Sequence, residues 1–140
     1  MRNEYKAYKK VGKLKKSISE LLKLDFSPIV YASPGVIRHI KKRHGKQLTK
    51  KVKENIIETI EIIIKNPDYF GLDYMGGNGG SLELVKKIDN ILLLGLDVDL
   101  EDKYIYVATI YPITESKLNA RIHSGRLIAV EEFEIEEKVL

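Results

Sequence analysis

The feature that most constrains this chain is a change of hydrophobic period at Asn66-Pro67-Asp68. Ahead of it, Val52, Ile56, Ile57, Ile60, Ile63 and Ile64 recur at helical spacing and fill one face of a helix that Thr49 caps. Proline brings no N–H and, flanked by Asn and Asp, stops that helix. Beyond it the spacing becomes that of strands. Residues 69–74 read as a strand, 75–80 (MGGNGG) as a turn with Asn78-Gly79 as its hairpin signal, and 81–88 as a strand. Asp89-Asn90 turns the chain into a largely apolar central strand over 91–98. Residues 100–103 turn it again into a strand over 104–111, ended by Pro112. Residues 114–122 read as a loop or short helix, and 127–133 as a last strand before an acidic tail whose glutamates are expected to be solvated. Helices first and a strand meander afterwards predict an α+β fold, with N-terminal helices packed on a four- to five-stranded antiparallel sheet.

Upstream, Leu14, Ile18, Leu21 and Leu22 predict a helix over 4–24, weakened by Gly12. This gives a basic amphipathic arm over 1–26 and an α+β domain over 27–140, a single domain overall for 140 residues. Ser27-Pro28 opens an extended stretch over 29–32. Ser33-Pro34 then reads as N-cap and first-turn proline of a short helix reaching Arg43, with Gly45 as a left-handed C-terminal cap.

The net charge of +4 hides a split. Residues 1–53 hold 16 Lys and Arg against 3 acidic residues, a net of +13, whereas 54–140 hold 8 against 17, a net of −9. A basic face of this kind suits a polyanion, nucleic acid first. With no cysteine, disulfides, thiolate zinc sites and cysteine nucleophiles are excluded. Lys13, Lys15, Lys16, Glu20 and Lys23 interrupt any signal-like apolar region and no stretch suits a membrane span, so a cytoplasmic protein without membrane partners is expected. The MGGNGG run lacks the GK[ST] ending of a phosphate loop. Asp97, Asp99, Glu101 and Asp102 lie on a turn that needs polar residues anyway, so no metal site and no cofactor is expected.

Two clusters can carry chemistry. The first is the helix run Ile37-Arg38-His39-Ile40-Lys41-Lys42-Arg43-His44-Gly45. His39 and Arg43 share a face, and His44 falls in line with Ile37 and Ile40, toward the sheet, at the helix C-terminus where an imidazolium is favoured. The second holds Thr109, Tyr111, Arg121, His123, Ser124 and Arg126. Thr109 is expected to share a strand face with Ile105, Val107 and Tyr111. Arg121, His123 and Arg126 can hold a phosphate, as Arg38, Lys41 and Lys42 can on the helix. Cutting RNA without a metal needs a proton acceptor, a proton donor and cations for the charged phosphorane, all of which are present.

The run IRHIKKRHG, the Ile-rich helix ending in Asn66-Pro67-Asp68-Tyr69, the strand ending Val107-Ala108-Thr109-Ile110-Tyr111-Pro112 and the late Ser124-Gly125-Arg126-Leu127 resemble the phage-type BECR nucleases. That superfamily groups barnase, EndoU, colicin and RelE-like ribonucleases, and the resemblance spans about residues 29–130. It implies two helices on a four-stranded antiparallel sheet and a metal-independent endoribonuclease of the toxin type, with RNA as substrate and a neutralising immunity or antitoxin protein as partner. By the same resemblance His44, with His39 as second choice, Arg43, Thr109, Arg126 and Ser124 match motif positions. Two other readings stay open: a nucleic-acid-binding domain without chemistry, and a protein-interaction domain that uses the N-terminal helix.

Overall fold

A computed structural model describes residues 8–139. Its centre is a seven-stranded mixed sheet in the order β1-β2-β6-β5-β4-β3-β7. The strands are β1 (Lys9–Lys13), β2 (Ile29–Ala32), β3 (Tyr69–Gly76), β4 (Gly79–Ile88), β5 (Asn90–Asp99), β6 (Tyr104–Ile113) and β7 (Ile128–Ala129). The helices are α1 (Lys16–Leu22), α2 (Pro34–His44), α3 (Lys50–Glu54), α4 (Ile56–Lys65), α5 (Glu115–His123) and α6 (Val130–Val139). The α+β class holds, but the sheet is larger than expected and not wholly antiparallel, because β2 pairs with β6 in parallel.

The middle of the sheet follows the sequence closely. Strands β3 to β6 form an antiparallel meander through β4 and β5, with Gly77-Asn78, one residue earlier than the expected Asn78-Gly79, turning the first hairpin because Gly79 already pairs with Gly76. Ser33 Oγ accepts from Val36 N at 3.1 Å and Thr49 Oγ1 from Val52 N at 3.3 Å, so both expected N-caps form. Pro34 opens α2 as expected. Gly45 departs from expectation: it stays right-handed, because the chain winds on through a further turn in which His44 O accepts from Gln47 N and Leu48 N. The long isoleucine helix breaks at Asn55 into α3 and α4. Its Ile56, Ile60, Ile63 and Ile64 are buried against Leu82, Leu84, Leu94 and Leu96, forming the main core on one sheet face. Each such side chain is worth roughly 1.5–3 kcal/mol of burial.

The ends of the chain differ most from expectation. Of the helix predicted over 4–24, residues 4–7 lie outside the described residues, 9–13 form β1, and only 16–22 are helical. Gly12 sits at a bulge in β1 where Ile64 of α4 presses close, and Val11, Leu14 and Ile18 enter the main core. Pro112 does not end β6, which runs on to Ile113. Strand β2 pairs with β6 only at Ile105 and Tyr106, so the missing N–H of Pro112 falls on an edge that β2 does not reach. The last strand shrinks to Ile128–Ala129, and the acidic tail is helix α6. Phe133 meets Phe70 edge-on at 5.1 Å, and Glu134 takes Lys15 Nζ at 2.9 Å and Ser17 Oγ at 3.0 Å, so this glutamate is not simply solvated. Among the described residues no helix is long and apolar enough to cross a membrane.

The hydrogen bond from Lys15 holds the Glu134 carboxyl below its ordinary value of 4.5. A depressed carboxyl stabilises the fold above its unfolded pKa, and that stability is lost as pH falls through the folded value. Both side chains are about a third exposed, so the effect is of surface size, about 0.5–1 kcal/mol. Urea denaturation at pH 7 and pH 3.5 should show Glu134→Gln less stable than the parent at the higher pH, with a smaller deficit at the lower. An equal deficit at both would mean that α6 docks through packing alone.

Candidate active site

The face of the sheet away from the isoleucine helix carries a row of four positions in register. Gly71 on β3 pairs with Glu83 on β4, Glu83 with Gly95 on β5, and Gly95 with Thr109 on β6. Two of the four lack side chains, so neighbouring groups pack directly over the backbone beside the glutamate and the threonine. A Cβ on Gly95 would lie 3.2 Å from Thr109 Cγ2, and one on Gly71 would run into the carbonyl of Arg126. Thr109 reaches this face only because the β5–β6 ladder slips between Gly95 and Leu96. Leu96 faces Val107 and Gly95 faces Thr109, so Ala108 is the unmatched residue of a bulge. Thr109 and Tyr111 are therefore turned away from Ile105 and Val107, which point into the main core, contrary to the expected shared face.

The cations arrive from α5. Thr114 Oγ1 caps this helix by accepting from Lys117 N at 3.1 Å. Leu118 packs with Val85, Leu93, Ile113 and Leu127 in a second, smaller core and so fixes the helix over the sheet. At its end Arg121 Nη1 lies 3.6 Å from Glu83 Oε2, and beyond the turn Arg126 Nε lies 3.4 Å from Glu83 Oε1. Ser124 shapes that turn: its hydroxyl donates to Arg121 O at 3.1 Å and accepts from Arg126 N at 3.4 Å. The Glu83 side chain is 12% exposed, and its Oε1 and Arg121 Nη1 are buried without a hydrogen bond. Two guanidinium groups thus face one carboxylate at ion-pair distance, with donor capacity unused.

Helix α2 borders the same face on the β6 side. His44 is half-buried and its ring stacks on Tyr111 at 5.3 Å and 29°. Its Nδ1 sits 3.1 Å from Gln47 Oε1. His39 is exposed and lines a depression of about 400 Å³ with Tyr8, Ser33, Asp97 and Tyr106. Arg38, Lys41, Lys42 and Arg43 are exposed along α2, and His123 is exposed at the end of α5. The structure therefore joins Arg121 and Arg126 on one carboxylate and sets Thr109 in their row. His44 stands at Tyr111, the next on-face position of β6 after Thr109, roughly 7 Å along the strand. His39 belongs to a different part of the face. Glu83 was missed: within Leu82-Glu83-Leu84 it shows only as the outward residue of an alternating strand.

Residues 9–120 match the model of the phage-Barnase-EndoU-ColicinE5/D-RelE like nuclease3 family. The chain belongs to this nuclease family. No curated protein and no solved structure matches it. The match begins at β1, so the family includes the start of the sheet that the resemblance had left out, and it ends just before Arg121. Glu83, Gly95, Thr109 and both helix histidines fall inside it, while the two arginines on Glu83 fall beyond. Among the described residues of this family member, no group of three or more His, Cys, Asp or Glu is placed to hold a metal ion.

Glu83 holds in place two cations that would otherwise repel each other. In Glu83→Gln, Arg121, at 21% side-chain exposure, loses its counter-charge, while Arg126, at 44%, is screened by water. A loss of about 1 kcal/mol is expected. Phosphate at a concentration on the order of 10 mM should restore more thermal stability to this variant than it adds to the parent, by supplying the negative charge that glutamine lacks. Equal shifts in the two melting temperatures would show that the pair of arginines is not an anion site.

Proposed function

We propose that the protein is a metal-independent endoribonuclease of the toxin type, acting at the face that carries Glu83, Thr109, Arg121 and Arg126. The observation that supports this most is the single carboxylate held between two guanidinium groups, in register with a threonine, in a chain of a nuclease family. Arg121 and Arg126 would grip the scissile phosphate, guanidinium forks matching its oxygens. Displaced from them, Glu83 would take the proton of the 2′-hydroxyl as its oxygen attacks phosphorus. The bond from phosphorus to the 5′-oxygen breaks, and His44, as imidazolium, gives that oxygen a proton. The products are a 2′,3′-cyclic phosphate and a free 5′-hydroxyl. The Thr109 hydroxyl would orient a non-bridging oxygen. Ser124 would act through the turn that sets Arg126, and Arg43, Arg38, Lys41 and Lys42 would steer neighbouring phosphates. His39 and His123 take no part in the bond-breaking step.

The toxin reading and a neutralising immunity or antitoxin partner come from the resemblance and belong to the same proposal. The pure protein should cut single-stranded RNA with EDTA present and leave cyclic-phosphate ends. Glu83→Gln, His44→Ala and Arg126→Ala should each slow cleavage by roughly 10²–10⁴-fold, on the scale of a lost acid, base or charge stabiliser. Cleavage that appears only on adding a divalent cation would overturn metal independence. Intact RNA under every condition, with binding that weakens steeply in salt, would favour a nucleic-acid-binding domain without chemistry.

A further inference from the structure

Four tyrosines gather on the same open face, on the far side of the bulge from His44. Tyr31 on β2 is in register with Tyr106 on β6, and Tyr104 stands two residues before Tyr106. Ring centroids lie 5.5 Å apart for Tyr31 and Tyr104 and 5.2 Å apart for Tyr104 and Tyr106, both pairs inclined by 23°. Tyr8 leans on Tyr104 at 5.8 Å and 41°. All four are only partly buried, and Tyr106 lines two depressions, of about 400 and 430 Å³. The main core uses the opposite face of these strands, through Val30, Ile105 and Val107.

The bulge puts this cluster in line with the catalytic row. Tyr106 faces Asp97 and Thr109 faces Gly95, two positions apart on β5, so Tyr104, Tyr106, Thr109 and Tyr111 succeed one another on one face. On-face neighbours along a strand are roughly 7 Å apart, a step comparable to one nucleotide of an extended single strand. The charges sort what can lie where. Asp99 is opposite Tyr104 and Asp97 opposite Tyr106, so a phosphate is repelled from the centre of the cluster. Lys10, exposed and in register with Tyr31, gives the outer rim a cation, and Arg121 and Arg126 lie at the other end. Rings flanked by acidic side chains, with cations at both ends, fit an uncharged base whose sugar–phosphate chain passes outside. Aromatic residues on adjacent strands of an open sheet hold unpaired bases in this manner.

We propose that the Tyr31–Tyr104–Tyr106 cluster, with Tyr8, is a base-stacking subsite that holds single-stranded nucleic acid beside the phosphate site. It rests on the nucleic-acid part of the proposed function and not on catalysis. Structured duplexes, whose bases are already stacked, are poor occupants, so the subsite selects loops and unpaired segments.

The probe is a fluorescently labelled single-stranded DNA octamer, which lacks the 2′-hydroxyl and so is not cut by the chemistry above. Its partner is an octamer of equal charge with abasic positions throughout. Fluorescence anisotropy with the full chain should show the base-bearing strand binding at least about 10-fold more tightly, as expected for one stacked base. Tyr31→Leu and Tyr106→Leu should lower that ratio several-fold, and Tyr106→Phe should keep it, since the ring and not the hydroxyl does the stacking. The salt dependence should stay unchanged in all three, because no phosphate contact is removed. Equal affinity for the two octamers in the unaltered protein overturns the subsite, whatever the variants do. RNA cleavage without base-dependent binding sinks the subsite alone, and base-dependent binding without cleavage sustains it while the enzyme reading falls.

Discussion

Ala108 has no partner across the β5–β6 ladder, and much of the molecule depends on that slip. Successive residues of a strand face opposite ways, so one unmatched residue exchanges the faces of everything beyond it. Ahead of the bulge Ile105 and Val107 enter the main core while Tyr104 and Tyr106 stand on the open face. Past it Ile110 takes over the core position, and Thr109, Tyr111 and Ile113 turn to the other side. Without the slip, a threonine hydroxyl would be buried in an apolar core without a partner, at a cost of a few kcal/mol, and Ile110 would be left on the open face. The bulge thus satisfies packing and places a hydroxyl in the row with Glu83 in one move.

The same sheet is finished differently at its two ends. Near the turn at Ile88–Asn90 the second face is closed by α5, whose Leu118 sits with Val85 and Leu93. Toward Tyr104 and Asp99 the tyrosines occupy that face. Between the two, Gly95 leaves room for the Thr109 methyl, and Gly71 lets the Arg126 backbone pack against β3. The arginines are held at the border of the covered part, one by the helix and one by the turn that Ser124 organises. The paired arginines therefore stand where packing stops, with the smaller core of Val85, Leu93, Ile113, Leu118 and Leu127 beside them.

Local chemistry made much of this legible in advance. The Ser33 and Thr49 caps, the isoleucine face of α4, the hairpins from β3 to β6 and the inward aim of His44 were each written in a few neighbouring residues. What escaped was set by distant partners. The run KKVGK has one apolar residue and no alternation, and becomes β1 because β2 offers an edge and the core takes Val11. Val130 and Phe133 are three apart, which is helical, yet the surrounding β-formers suggested a strand; Phe70 and Lys15 decide for the helix. The bulge could not be read at all, since Val107-Ala108-Thr109 alternates as well with it as without it. Glu83 looked like any outward-facing strand residue until two arginines from a later helix and turn met it.

That meeting has a consequence for selectivity between charge states. A carboxylate already between the arginines would act, in the proposed reaction, as an internal competitor, so an arriving phosphodiester would exchange one singly charged anion for another and gain little. A pentacoordinate phosphorane carries additional negative charge at the same place and gains from both guanidinium groups at once. In the proposed ribonuclease such a site would discriminate where it lowers a barrier, and would release the singly charged cyclic product as readily as it admitted the substrate.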